Sequence, residues 1–237
     1  MQLEKYYELG VKRAFQDLVK TAGSEVDNEL KGLHAGLGVA SGTGVASLGA
    51  VAGGHALERK LTDAAERSRL VGALKKNMPL RKGVTIHTDA PSFLLSRFDP
   101  SEKRISVSSK PTPSVLAHEM GHASGKRMAG GNVLQMGSRI TGKYGVPVSL
   151  IAQAFTDPDS TTTKALQYGP SIAMIPMLAE ELRASTRAAI ALKRLGGKGA
   201  MLRGLLSLVP AFGTYAATAS SPLWGGKIVQ HYANPHS

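Results

Sequence analysis

The chain has 237 residues, enough to bury a real core, and carries 29 Lys and Arg against 17 Asp and Glu, a formal charge of +12. The absence of Cys excludes disulfides and thiolate metal ligation. Aromatic residues make up 5%, too few for base-stacking platforms, so nucleic acid is disfavoured as a partner and the charge reads as solubility or attraction to an anionic partner such as lipid.

Residues 1–31 read as an amphipathic helical lead. Tyr6, Tyr7, Leu9, Val11, Phe15, Leu18 and Val19 fall at helical spacing. Such a stripe suits a core or a docking surface better than a cofactor site. The lead is charged, so no secretory signal peptide is evident. Residues 32–78 form a Gly-rich apolar segment followed by a charged helix. Gly32 to Leu57 contains no Asp, Glu, Lys or Arg and is long enough to span a bilayer. It is rich in Gly, Ala, Ser and Thr rather than Leu or Ile. Gly38, Gly42, Gly49 and Gly53 give small-x-x-x-small spacings that permit close helix packing. His34 and His55 bracket the segment without a partner that the sequence names.

Residues 79–198 carry the chemistry. Gly83-Val84-Thr85-Ile86-His87 alternates like a strand. Phe93 to Phe98 and Arg104 to Ser108 are two further extended runs, joined by a type I turn at Asp99-Pro100-Ser101-Glu102. Ile105-Ser106-Val107-Ser108 is the candidate edge strand for an extended substrate backbone, or simply one arm of a structural hairpin. Thr112-Pro113 then supplies an N-cap residue and a first-turn Pro.

The segment that follows, Leu116-Ala117-His118-Glu119-Met120-Gly121-His122-Ala123, contains H-E-x-x-H. On a helix His118 and His122 project from one face and can share one Zn²⁺, leaving a position open. Glu119 sits beside them, where it can take a proton from a metal-activated water. A catalytic zinc needs a third protein ligand, and no third His follows within the next turns. Pro176 to Ala188 is strongly helical and places Glu180 and Glu181 after an apolar run. A carboxylate there is costly unless a metal partners it. Either acid could serve, and both could instead face Arg183 and Arg187 as surface charge.

A His-Glu-x-Gly-His-Ala helix followed by Glu181-Leu182-Arg183-Ala184-Ser185-Thr186-Arg187-Ala188 resembles the gluzincins of the membrane-associated neutral zinc metallopeptidase type. It is similar, more distantly, to the CaaX-type integral-membrane zinc proteases. The resemblance runs from about Gly83 to Leu195, less than half the chain. It implies a zincin-like core, with Glu181 as the third zinc ligand and Glu180 as its neighbour. The apolar stretch between the motifs is shorter and more broken than the membrane hairpin of those families. Tyr7 to Phe15 is also similar, over few residues, to leader helices of tailed-phage virion proteins.

Tyr144 to Thr156 and Ala165 to Ala179 are apolar but short, and Pro147, Pro170 and Pro176 interrupt them. They read as buried helices or a shallow hydrophobic hairpin. Residues 199–237 form an apolar helix, uncharged from Gly204 to Gly226, and a tail containing His231 and His236. A mean hydropathy of −0.08 is low for a chain that crosses a membrane several times.

The expected fold is therefore α+β and mostly α-helical, with a small sheet before the H-E-x-x-H helix and a second helix bearing the third ligand. The expected function is zinc-dependent hydrolysis of a peptide or protein substrate. Its metal ligands are His118, His122 and Glu181, and its general base is Glu119. Tyr168, Tyr215, His231 and Arg183 are the candidates for stabilising the oxyanion. The alternative is a virion, ejection or membrane-inserting structural protein with the same fold. Location follows the function: membrane-associated or cytoplasmic for an enzyme, virion-associated for the alternative. A polyanion-binding module, resting on charge alone, ranks below both.

Overall fold

A computed structural model of the chain describes residues 34–35, 38–39, 49–91, 96–124 and 131–233. The helical lead, most of the Gly-rich segment, Phe93 and His236 lie outside the described residues. The described chain is mostly helical, with one three-stranded sheet.

Helical residues 49–61 lead into α1 (Ala64–Asn77). Asp63 caps α1 by accepting from the Glu66 N–H at 2.7 Å, and Lys75 and Lys76 sit in its last turn, where the helix dipole favours cations. The sheet comprises β1 (Thr85–His87), β2 (Arg97–Asp99) and β3 (Arg104–Ser106) in the order β1-β3-β2. β1 runs parallel to β3, and β2 antiparallel. The β2–β3 hairpin closes through Asp99. Its carboxylate accepts from the backbone N–H groups of Ser101 at 2.9 Å and Glu102 at 3.2 Å.

This order corrects the expectation that residues 105–108 form the sheet edge. β3 is the central strand. Ile105 and Val107 are fully buried, and neighbours on both sides use the hydrogen bonds of this strand: the Val107 N–H donates to His87 O at 2.9 Å. Apolar alternation alone cannot tell a central strand from an edge strand. β2 is an edge strand, and its residues line a cleft over α2.

Next come α2 (Pro113–Ala123) and α3 (Gly131–Ile140). A π-helical turn (Thr141–Gly145) precedes α4 (Val146–Ala152). After α5 (Thr161–Ala173), the chain ends in α6 (Ile175–Ala233). Thr112 caps α2 from its hydroxyl and Pro113 opens it, as the sequence predicts. α6 breaks at Gly197, whose φ of 75° only Gly adopts readily, leaving two helical arms. Both internal prolines of the second arm are accommodated. Pro222 cannot donate to the Thr218 carbonyl, and the Ser221 hydroxyl donates to it instead at 2.8 Å. Pro210 leaves the Leu206 carbonyl free, and Gly54 packs so close that an added Cβ would lie 2.9 Å from that oxygen.

α2 runs between the sheet and α6. Leu116, Met120, Phe98, Ile105, Leu192 and Leu208 meet there in one buried cluster. The α2–α6 crossing is tight: a Cβ on Gly121 would lie 2.5 Å from the carbonyl oxygen of Ala184. Backbone cannot yield as a side-chain tip can. Gly121→Ala is therefore expected to destabilise the fold by about 3 kcal/mol, the upper range for overpacking. Thermal denaturation should register this as a Tm lower by roughly 6–12 °C.

The run Thr161–Ala233 is long and apolar enough to cross a membrane by length and composition, and 22% of its apolar window is buried. Leu202, Leu206, Val209, Trp224 and Ile228 are exposed along the second arm.

Candidate metal centre

Every residue of α2 is buried except His118 and His122. The helix is thus embedded on all sides and opens to solvent only through these two imidazoles. Their Nε2 atoms lie 3.2 Å apart. The Glu181 carboxylate, arriving from α6, places one oxygen 3.2 Å from His118 Nε2 and the other 3.5 Å from His122 Nε2. Two ligands at 2.0–2.1 Å on a tetrahedral zinc stand about 3.3 Å apart. The two imidazoles stand at about that separation, each approaches a different Glu181 oxygen, and one donor atom from each of the three residues lies within 4.8 Å of the others, close enough for one ion to reach all three.

The opposite ring nitrogens are also engaged. His118 Nδ1 lies 3.3 Å from the Ser185 hydroxyl and His122 Nδ1 3.6 Å from Glu180. An imidazole that ligates through Nε2 carries its proton on Nδ1, and partners there fix both tautomer and ring orientation. Glu181 thus belongs to the three-donor group, and Glu180 stands behind His122, also bridging to Arg183 at 3.4 Å.

The electrostatics fit a cation at this point. Burial favours neutral His122, yet the Glu180 and Glu181 carboxylates outweigh it and raise its pKa to about 10. Burial likewise opposes ionised Glu181, but hydrogen bonds with His118 and His122 hold its pKa well below the usual carboxylate range. These carboxylates favour a proton on His122, which a cation held by the same donors would have to displace.

Both ends of α2 are anchored by residues that the sequence did not single out for this role. Arg187 donates to the carbonyls of Gly121 at 3.0 Å and Ser124 at 2.7 Å. Arg81 donates to those of His122 at 2.5 Å and Ala123 at 3.0 Å. Two guanidinium groups thus satisfy the orphan carbonyls at the end of α2 that carries His122. At the other end, the buried Glu58 carboxylate accepts from Ser114 N–H at 3.0 Å and from the Ser114 hydroxyl. Ser207 bridges onward from Ser114 to His55. His55 therefore has a partner after all. Burial first, then the charges of Arg59 and His118, lower its pKa to about 4, so it stays neutral near pH 7.

Arg187→Met should leave the carbonyls of Gly121 and Ser124 without this donor, and a Tm lower by roughly 4–8 °C is expected, corresponding to about 2 kcal/mol.

A cleft of about 570 Å³ opens over the three donors. β2 and its turn form one wall, and Arg139, Met177 and Tyr215 form the other, with Glu119 on the floor. Among the oxyanion candidates, Tyr215 lines this cleft. The Glu181 charge, burial and the Glu119 charge all push its phenol pKa up, keeping the proton available for donation. Tyr168 is exposed on α5, His231 packs edge-on against Tyr232, and Arg183 is paired with Glu180.

No protein-family model, curated protein or solved structure matches the chain.

Proposed function

We propose that the chain is a zinc-dependent metallopeptidase with a zincin-like core. The observation that carries this reading is the convergence of His118 Nε2, His122 Nε2 and the Glu181 carboxylate, with one donor atom from each within 4.8 Å of the others, in an open cleft. Zinc held by these three residues would supply a Lewis acid that acidifies a water and polarises a carbonyl. Glu119, next to His118 on the same helix turn, accepts a proton at its carboxylate and returns it to the leaving amine. The Tyr215 phenol donates toward the oxygen on which negative charge develops. The β2 edge offers backbone groups to an extended peptide. The test is elemental analysis of purified protein, with and without chelation, beside digestion of a peptide library. About one zinc per chain and chelator-sensitive cleavage are expected; a chain that takes up no zinc overturns the reading.

A second reading rests on the apolar stripe of the second arm of α6. Leu202, Leu206, Val209, Trp224 and Ile228 are exposed, with exposed Lys227 among them; Arg203 on the same arm is half-buried and paired with Glu66. A membrane-inserting structural protein would present such a face to lipid. Flotation with anionic liposomes, undiminished in Glu119→Gln, is the result this reading requires.

A further inference from the structure

We infer that Arg139 selects the substrate by binding a carboxylate next to the scissile bond. The inference rests on the peptidase reading and names its substrate class. Arg139 stands in the last turn of α3, opposite β2. The turn is fixed in place because the adjacent Ser138 is buried and its hydroxyl donates to Ala173 O at 2.6 Å, tying α3 to the end of α5. Arg139 lines both the main cleft and a small annex of about 30 Å³ beside His122, Glu180 and Glu181, with Phe98, Pro100 and Met177 as apolar walls and Arg81 as a second cation. The annex has room for a water or the head of one short side chain.

Three of the neighbouring guanidinium groups are committed elsewhere: Arg81 and Arg187 hold the end of α2, and Arg183 pairs with Glu180. Arg97, on β2, also lines the cleft and acts electrostatically on Asp99. Among the described residues, Arg139 forms no ion pair. An exposed guanidinium at an open cleft, with a planar fork of donors, matches a carboxylate. That carboxylate can come from an Asp or Glu side chain or from the C-terminus of the substrate.

The experiment uses the zinc-loaded full chain and fluorescein-labelled peptides in matched pairs. Members of a pair differ only by Glu or Gln beside the cleaved bond, and each is made as free acid and as amide. In wild type, kcat/KM for the Glu peptide should exceed that for the Gln peptide at least tenfold. Arg139→Gln should erase the difference and Arg139→Glu should reverse it, with the change carried by KM. A preference that follows the free C-terminus instead identifies the chain end as the source. Equal handling of acid and neutral peptides by wild type, or an unchanged preference in Arg139→Gln, overturns the inference. So does an equal fall in kcat for all peptides, which marks Arg139 as an oxyanion donor. Anisotropy of the same peptides on the Glu119→Gln protein reads Arg139 without turnover. Tighter binding of acidic peptides, lost with Arg139, supports it even where no peptide is cut, and equal binding of every pair overturns it. Loss of cleavage with this preference intact would count against the peptidase reading alone.

Discussion

Glu119→Gln is expected to lower peptide turnover on the order of 10³-fold while the zinc content stays at the wild-type level. The side chain is 9% exposed and sits on the cleft floor beside both imidazoles. Gln keeps its size and shape, so α2 keeps its packing. Gln cannot accept a proton, so the step proposed for Glu119 would be removed. The proposed ligand set of His118, His122 and Glu181 would be untouched. Measuring kcat/KM on zinc-matched samples tests the prediction. Activity within tenfold of wild type would remove Glu119 from the mechanism and leave the water-activating step to another group.

Glu181→Ala is expected to weaken zinc binding by about 10²-fold or more, and His122→Ala to act similarly, since each removes one of three protein donors. The pH dependence carries a second signature. In the metal-free protein His122 holds its proton up to about pH 10. Zinc must displace that proton, so its apparent affinity should rise about tenfold per pH unit between roughly pH 7 and 9. Metal-free stability has the opposite sign. The pKa of His122 is raised on folding, so its contribution is complete below 6.5 and is lost as pH rises through about 10. The pKa of Glu181 is depressed, so its contribution is present above 4.5 and is lost as pH falls. The Tm of chelated protein should therefore be highest between about pH 4.5 and 6.5 and decline toward pH 10. Competition titrations and melting curves across this range measure both effects. A pH-independent zinc affinity would mean that His122 is already neutral in the metal-free site.

The parts of the site legible in the sequence are those fixed by covalent spacing. His118, Glu119 and His122 share one helical turn, and the i, i+4 relation of the two imidazoles follows from helix geometry alone. Thr112 and Pro113 announced the start of that helix for the same local reason. From the residues alone Glu181 is one of two adjacent acids, and only the family resemblance singles it out. Its position depends on how α6 crosses α2, and that crossing is set by the contact of Gly121 with Ala184. Glu58, Arg81 and Ser207 reach α2 from separate elements, so no periodicity links them to it. The hairpin arm is legible in residues 104–108, but the central place of β3 is not, because it depends on a third strand whose pairing is non-local. The role of Arg187 was hidden by its place among Glu180, Glu181 and Arg183. A charge six and seven residues beyond two acids looks like a surface pair until the carbonyls of another helix come within reach.

His118 and Glu181 are separated by 63 residues. An ion held by both would be a reversible cross-link in a chain that has no cysteine to form one. Tying off a loop of this length removes conformational entropy from the unfolded chain on the scale a disulfide achieves, about 4 kcal/mol. The segment inside the loop comprises α3, α4 and α5, the wall of the cleft that carries Arg139. Chelation would cut the tether of that wall specifically. Limited proteolysis should then nick between α3 and α5 before it reaches the sheet, which lies outside the loop.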